Sequence, residues 1–293
     1  MNSPSKTSRV TTRWRLARTL LVAAALIALI AGGANAEIQF IGVEHATTGT
    51  SGVDVITIVT PAGAAIGDTL VAVLTARGQM STFDPLNPAE PQWVKPDGTW
   101  DRVTSVARNN QIYQAILVKE LSSAPEASYA FKVKFDQPAT IRLAGALLAY
   151  EGVASVIGPA AASRGNDPTC TQNAWPSTGI TQYNNANWAA TPCQAAKYSI
   201  RANSRNAPVD GTLLLGAWVH GWASVSTDQT WTFPAGMTLR DSFENNSGVR
   251  GLSQFIAEEE VDAGPTGFRT VRPSDTGNVV HSIGQLILLV PQP

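Results

Sequence analysis

The chain has 293 residues with 21 basic and 22 acidic side chains, and only 15% of it is charged. That balance, which falls to −6 once the leader described next is removed, lacks the basic footprint that nucleic acids and anionic membranes require. Two cysteines and three histidines (His45, His220, His281) show no His-x-His, His-Glu-x-x-His or clustered-cysteine pattern, which argues against a transition-metal centre.

Residues 1–36 read as a secretory signal peptide. Lys6, Arg9, Arg13, Arg15 and Arg18 form a basic start, Leu20 to Ala31 an apolar core, and Ala34-Asn35-Ala36 a small-x-small cleavage site. The apolar run is short against the roughly 20 residues of a spanning helix. Cleavage before Glu37 is therefore expected rather than an uncleaved anchor, and no later run is long enough to span a bilayer. Processing removes five basic residues and no acid, leaving 16 against 22. The expected location is secreted, extracellular or cell-surface, with the periplasm as the alternative.

From Glu37 onward every segment predicts strand or turn. "IQFIGV" opens the mature chain, "DVITIVTP" alternates and stops at Pro61, and "TLVAVLTA" is almost wholly apolar. "PDGTW" is a turn whose Gly98 suits a positive φ. In "SYAFKVKF", Tyr129, Phe131, Val133 and Phe135 share one face while Lys132 and Lys134 share the other, the pattern of a half-buried strand. "TIRLAGALLAYEGV" closes the first half. No helix of ten or more residues is predicted after the leader, and "AEEEVDAG" is read as a strand end and turn.

The second half repeats the first. "GDTLVAVLTARG" at Gly67 resembles "DGTLLLGAWVHG" at Asp210, which would make Leu70 and Leu213 equivalent; "PDGTWDRV" at Pro96 resembles "PAGMTLRD" at Pro234, setting Trp100 against Thr238. "ILVKELSSAP" at Ile116 resembles "FIAEEEVDAG" at Phe255, and "IRLAGALLAY" at Ile141 resembles "VHSIGQLILL" at Val280. Four blocks in one order at nearly one spacing define a twofold repeat. The expectation is an all-β, jelly-roll-like β-sandwich over residues 37–293, built by interleaving two pseudo-symmetric halves, 37–157 and 196–293, with residues 158–195 inserted between them.

That insert holds both cysteines. In an exported chain Cys170 and Cys193 are expected to pair, which would stabilise by about 3 kcal/mol in the chain-entropy model. Between them lie Trp175, Tyr183 and Trp188 among asparagine, glutamine and threonine, with no charge. Rings beside amides are the equipment for stacking on a sugar or anchoring a protein partner; the same rings could instead fold back and cap the sandwich. Both readings stay open here.

The turn-and-strand order of Ile38–Gly42, Pro61–Leu70, Pro96–Gly98 and Pro234–Gly236 resembles a twofold-repeated, jelly-roll-like β-sandwich module found in bacterial secreted and surface proteins and in phage tail-associated proteins. The resemblance covers nearly the whole mature chain. It implies the fold and carries no catalytic residues, and the long insert departs from it.

No Gly-x-Ser-x-Gly elbow and no glycine-rich phosphate loop is present. The acids Glu258, Glu259, Glu260 and Asp262 are the best catalytic candidates, weighed against a solvated strand end that guards a sheet edge. No cofactor is called for; Ca²⁺ on those acids and loop carbonyls is a weak option without a D-x-D-x-D-G spacing. The expected function is therefore non-catalytic binding or adhesion to a glycan or to a cell-surface or extracellular protein. The alternatives are a self-assembling structural subunit of a filament, matrix or coat, and then a polysaccharide-active enzyme.

Overall fold

A computed structural model describes residues 36–48, 53–78, 93–108, 112–133, 142–158, 163–164, 200–222, 230–245, 251–273 and 279–293. The expected signal peptide, residues 1–36, thus lies outside the described residues apart from Ala36. Among the described residues the protein is all-β, with no helix.

In the first half the strands are β1 (Gln39–Thr47), β2 (Val55–Val59), β3 (Thr69–Arg77), β4 (Trp93–Val94), β5 (Asp101–Arg108), β6 (Ile112–Glu120), β7 (Ser128–Val133) and β8 (Arg142–Glu151). The second half runs β9 (Val153–Ile157), β10 (Ser163–Arg164), β11 (Ile200–Ala202), β12 (Asn206–Ala207), β13 (Thr212–Trp222), β14 (Trp231–Thr232), β15 (Thr238–Asn245), β16 (Gly251–Val261), β17 (Gly264–Pro265), β18 (Arg269–Pro273) and β19 (Val279–Pro291). The first half forms a five-stranded sheet in the order β1-β8-β3-β6-β5, covered by β2-β7-β4. The second half forms β10-β19-β13-β16-β15, with β9 also on β19, covered by β11-β18-β14; β12 and β17 make a separate ribbon. The order first-eighth-third-sixth-fifth over second-seventh-fourth recurs in both, and is that of a jelly roll.

The halves are therefore not interleaved into one two-layer sandwich. Each is a sandwich in itself, and the two stack through their large sheets, five-stranded in the first half and six-stranded in the second, giving four layers and three cores. The first outer core joins Leu70, Ala72, Leu74, Leu117 and Leu147 to Ile56, Ile58, Tyr129, Phe131 and Trp93 of the small sheet. The central core joins the opposite faces of the large sheets: Val71, Val73, Ile116 and Leu148 against Leu215, Val219, Ile256 and Ile287. The second outer core packs Leu214, Trp218, Phe255 and Leu286 on Ile200, Ala202 and Val271. This explains the strands that are apolar on both faces: β3, β8, β13 and β19 are middle layers, so both pleat faces must be apolar.

Three details of the sequence-based alignment change. Leu70 faces an outer core whereas Leu213 faces the central one, so Leu214 is the counterpart of Leu70. Trp100 corresponds to Met237, both buried in outer cores, while Thr238 is exposed. And the second half begins at Val153: β9 pairs with β19 (Val156 with Leu289, Ser155 with Val290) as β1 pairs with β8 (Phe40 with Tyr150, Gln39 with Glu151). The segment 165–199 thus joins the first and second strands of the second half instead of lying between halves.

Candidate functional site

The two halves meet along two pseudo-equivalent edges, and sequence has made them different. In each half the fifth strand carries a bulge, at Val103 in β5 and at Arg240 in β15. A bulge re-aims the extra side chain, and each points at the first strand of the opposite half. On one edge Val103 packs with Val118 and Val156 at the rim of the central core, with Leu289 buried inside it, and an ideal Cβ on Gly158 would fall 2.5 Å from Val103 O. That edge is apolar.

On the other edge the corresponding positions are Arg240, Glu258, Phe40 and Tyr150. The Tyr150 hydroxyl donates to Glu258 Oε2 at 2.6 Å, and Arg240 Nη2 lies 2.5 Å from Glu258 Oε1. The Arg240 guanidinium sits 4.1 Å from the Phe40 ring centroid, and Phe40 meets Tyr150 edge-on at 5.6 Å. One turn of pleat further, His45 Nδ1 is 3.2 Å from Asp241 Oδ1, and the His45 ring stacks on Phe243 at 4.5 Å. Asn245 Nδ2 then donates to Thr48 O at 2.8 Å. Apart from the Arg240–Glu258 pair within the second half and the Phe40–Tyr150 contact within the first, these contacts tie β1, Thr48 just after it, or β8 of the first half to β15 or β16 of the second.

The electrostatics follow from burial. The Glu258 side chain is 3% exposed, so its charge needs both partners. Burial, reinforced by the Glu258 charge, pushes the Tyr150 hydroxyl well above the ordinary phenol range, keeping it a donor. Burial also raises the Asp241 carboxyl above its ordinary 3.8, while His45 opposes that rise. The set contains an acid, a base and a phenol, yet no serine or cysteine nucleophile lies in these contacts, and its chemistry is that of a clasp. Between the edges, three glutamines and a threonine complete the join with neutral bonds: Thr75 Oγ1 donates to Gln254 Oε1 at 2.7 Å, and Gln285 Nε2 to Gln114 Oε1 at 2.9 Å.

The run Glu258–Glu260 thus splits by pleat. Glu258 is buried in the clasp, Glu259 pairs with Arg269 on the opposite face, and Glu260 is exposed. It does not guard an edge, because β16 lies between β13 and β15. Trp175, Tyr183 and Trp188, with Cys170 and Cys193, lie outside the described residues. The strands that bracket them are described: β10 and β11 approach each other, so the segment leaves and re-enters the second sandwich at one place. His220 Nδ1 lies 3.1 Å from Ser282 Oγ, within the second half.

Among the described residues no group of three or more His, Cys, Asp or Glu could hold a metal ion, and no helix is long and apolar enough to cross a membrane. The chain matches no family model, no curated protein and no solved structure.

Proposed function

We propose that this is a non-catalytic exported protein that uses a rigid double sandwich to present a binding segment, residues 165–199, to a glycan or to a cell-surface or extracellular protein. The observation that carries this reading is directional. The strand ends at Thr47, Arg77, Arg108, Val133, Arg164, Trp222, Asn245 and Pro273 all lead off the same end of the stacked sheets, as the cross-half contacts Asn245–Thr48 and Arg77–Gly251 require. The opposite end is closed by short turns, such as the Ala64–Pro61 and Met237–Pro234 bonds. Function on a β scaffold concentrates in connections held by such a base, and the segment with Trp175, Tyr183 and Trp188 departs from that end. A glycan array and a surface-protein pull-down with the exported chain test it: signal lost in Trp175→Ala or Trp188→Ala supports the reading, and unchanged signal refutes it.

Assembly into filaments by strand addition is the weaker reading. β1, β5 and β15 at edges of the two large sheets, and β9, which shares the remaining edge with β10, each carry a bulge, after Phe40, after Arg102, after Leu239 and at Ala154. Bulged edges resist pairing with a neighbour's edge.

A further inference from the structure

We propose that a second copy of this chain is a partner for the central face, by exchange of whole halves about Gly152. The inference is independent of the binding function above. Three observations carry it.

The first is the connection. β8 ends at Glu151 and β9 begins at Val153, so one residue carries the chain from the large sheet of the first half to that of the second. Gly152 makes the crossing at φ 79°, and an ideal Cβ there would lie 2.9 Å from Glu37 O. A one-residue crossing has no slack; when the halves part, straightening it is the only backbone change needed. Short hinges of this kind favour exchange between copies.

The second is the face itself. The central core is drawn from both halves, with Val71, Val73, Ile116 and Leu148 on one side and Leu215, Val219, Ile256 and Ile287 on the other. Parting the halves uncovers two apolar sheets that must be covered again.

The third is selectivity. The halves are homologous, so like could pair with like, but the diverged positions forbid it. Arg77, buried at 3% exposure, donates to Gly251 O and lies over Gly221, where an ideal Cβ would be 3.1 Å from its Nε. Arg77 and Gly221 are repeat counterparts. Two first halves would bring two buried arginines together, and two second halves would leave a void. Two second halves would also set Glu258 against Leu289 in place of Tyr150. Only a first half with a second half fits, and another copy supplies that combination as well as the same chain does. Reciprocal exchange closes a dimer, and one-way exchange propagates an open chain.

The test refolds the full mature chain from denaturant at low and at high concentration, followed by light scattering on a sizing column. Three chains are compared: native, Gly152→Ala, and one with five Gly/Ser residues inserted after Gly152. Severalfold more dimer is expected at high concentration for the native chain, more again for Gly152→Ala, and loss of the dimer on insertion. A Thr75→Cys/Gln254→Cys variant reports the origin of the dimer. Exchange makes that disulfide link two chains on a non-reducing gel, an effect absent from either single variant. A native chain that stays monomeric, an inserted chain that dimerises as readily as the native one, or a bond that closes within one chain overturns the proposal. Should Gly152→Ala fail to fold by circular dichroism, the native-against-insertion comparison decides alone.

Discussion

Gly216 shows how one missing side chain sets a core. It faces the second outer core beside Trp218, two residues along β13, and an ideal Cβ on it would lie 2.0 Å from the Trp218 ring. Trp218 is fully buried and tilts against Phe255 at 5.8 Å, so it has nowhere to go. Gly216→Ala is therefore expected to destabilise by about 1–3 kcal/mol, the range for overpacking, although alanine suits a strand no worse than glycine. Urea unfolding checks it; an unchanged midpoint would show that the ring has room. Asp241 makes a second residue-scale prediction. Its carboxyl is raised above 3.8, so the folded chain holds that proton more tightly than the unfolded chain does. The contribution is fully present below 3.8 and is lost as pH rises through the raised value. Asp241→Asn keeps an acceptor for His45 and removes the penalty. Its stability relative to the native chain should rise between pH 3.5 and neutrality, and a flat difference in melting temperature across that range contradicts the assignment.

At the scale of elements, the edges of the large sheets illustrate what a repeat permits. The bulge at Val103 and the bulge at Arg240 are the same backbone device with different cargo. Since the apolar edge solves the packing without charge, the clasp can be converted toward it. Glu258→Val alone strands Arg240 and the Tyr150 hydroxyl, and is expected to cost about 3–5 kcal/mol. Adding Arg240→Val and Tyr150→Phe should bring the chain back to within about 1 kcal/mol of the native one. A triple variant as unstable as the single one would show that the edges are not interchangeable. Elements also show why the sequence alignment slipped. Strand periodicity is two, so a one-residue error moves a side chain to the other face. In β3 and β13, apolar on both faces, nothing in the composition marks the slip. A better anchor was present: Trp93-x-x-Pro96-x-Gly98 and Trp231-x-x-Pro234-x-Gly236 share a signature, and Trp93 and Trp231 both pair onto the seventh strand.

For the whole molecule, the β class and the repeat could be read because strand patterning is local, and local patterns survive without knowledge of partners. The start of the second half could not be read from spacing, because the long segment after β10 falls inside the repeat and breaks the common offset. "Phe40-Ile41-Gly42" against "Val156-Ile157-Gly158" was the remaining clue. The clasp was not legible at all. Tyr150 and Glu258 stand 108 positions apart and meet only because two sandwiches stack; no periodicity encodes a contact between sheets.

The stacking has a consequence for folding cooperativity. Neither half owns the central core, since its two walls come from opposite halves, the clasp ties one rim and the glutamine bonds cross between the sheets. A half alone would expose one complete apolar sheet face to water, at roughly 25 cal/mol per Å². The described strands should therefore unfold in one transition, with calorimetric and van't Hoff enthalpies equal. Ile256 is fully buried in the central core, so Ile256→Ala should cost about 2–5 kcal/mol and lower that single transition without dividing it. Phe131→Ala, in the first outer core, should loosen the small sheet β2-β7-β4 first, seen as faster amide exchange at Ile56 and Ile58 while β3 and β13 stay protected. Two resolved transitions in the native chain or in Ile256→Ala would mean that each jelly roll stands by itself and that the central face is a contact between finished domains. One transition, with the slowest exchange in β3, β8, β13 and β19, is what four layers sharing a middle core demand.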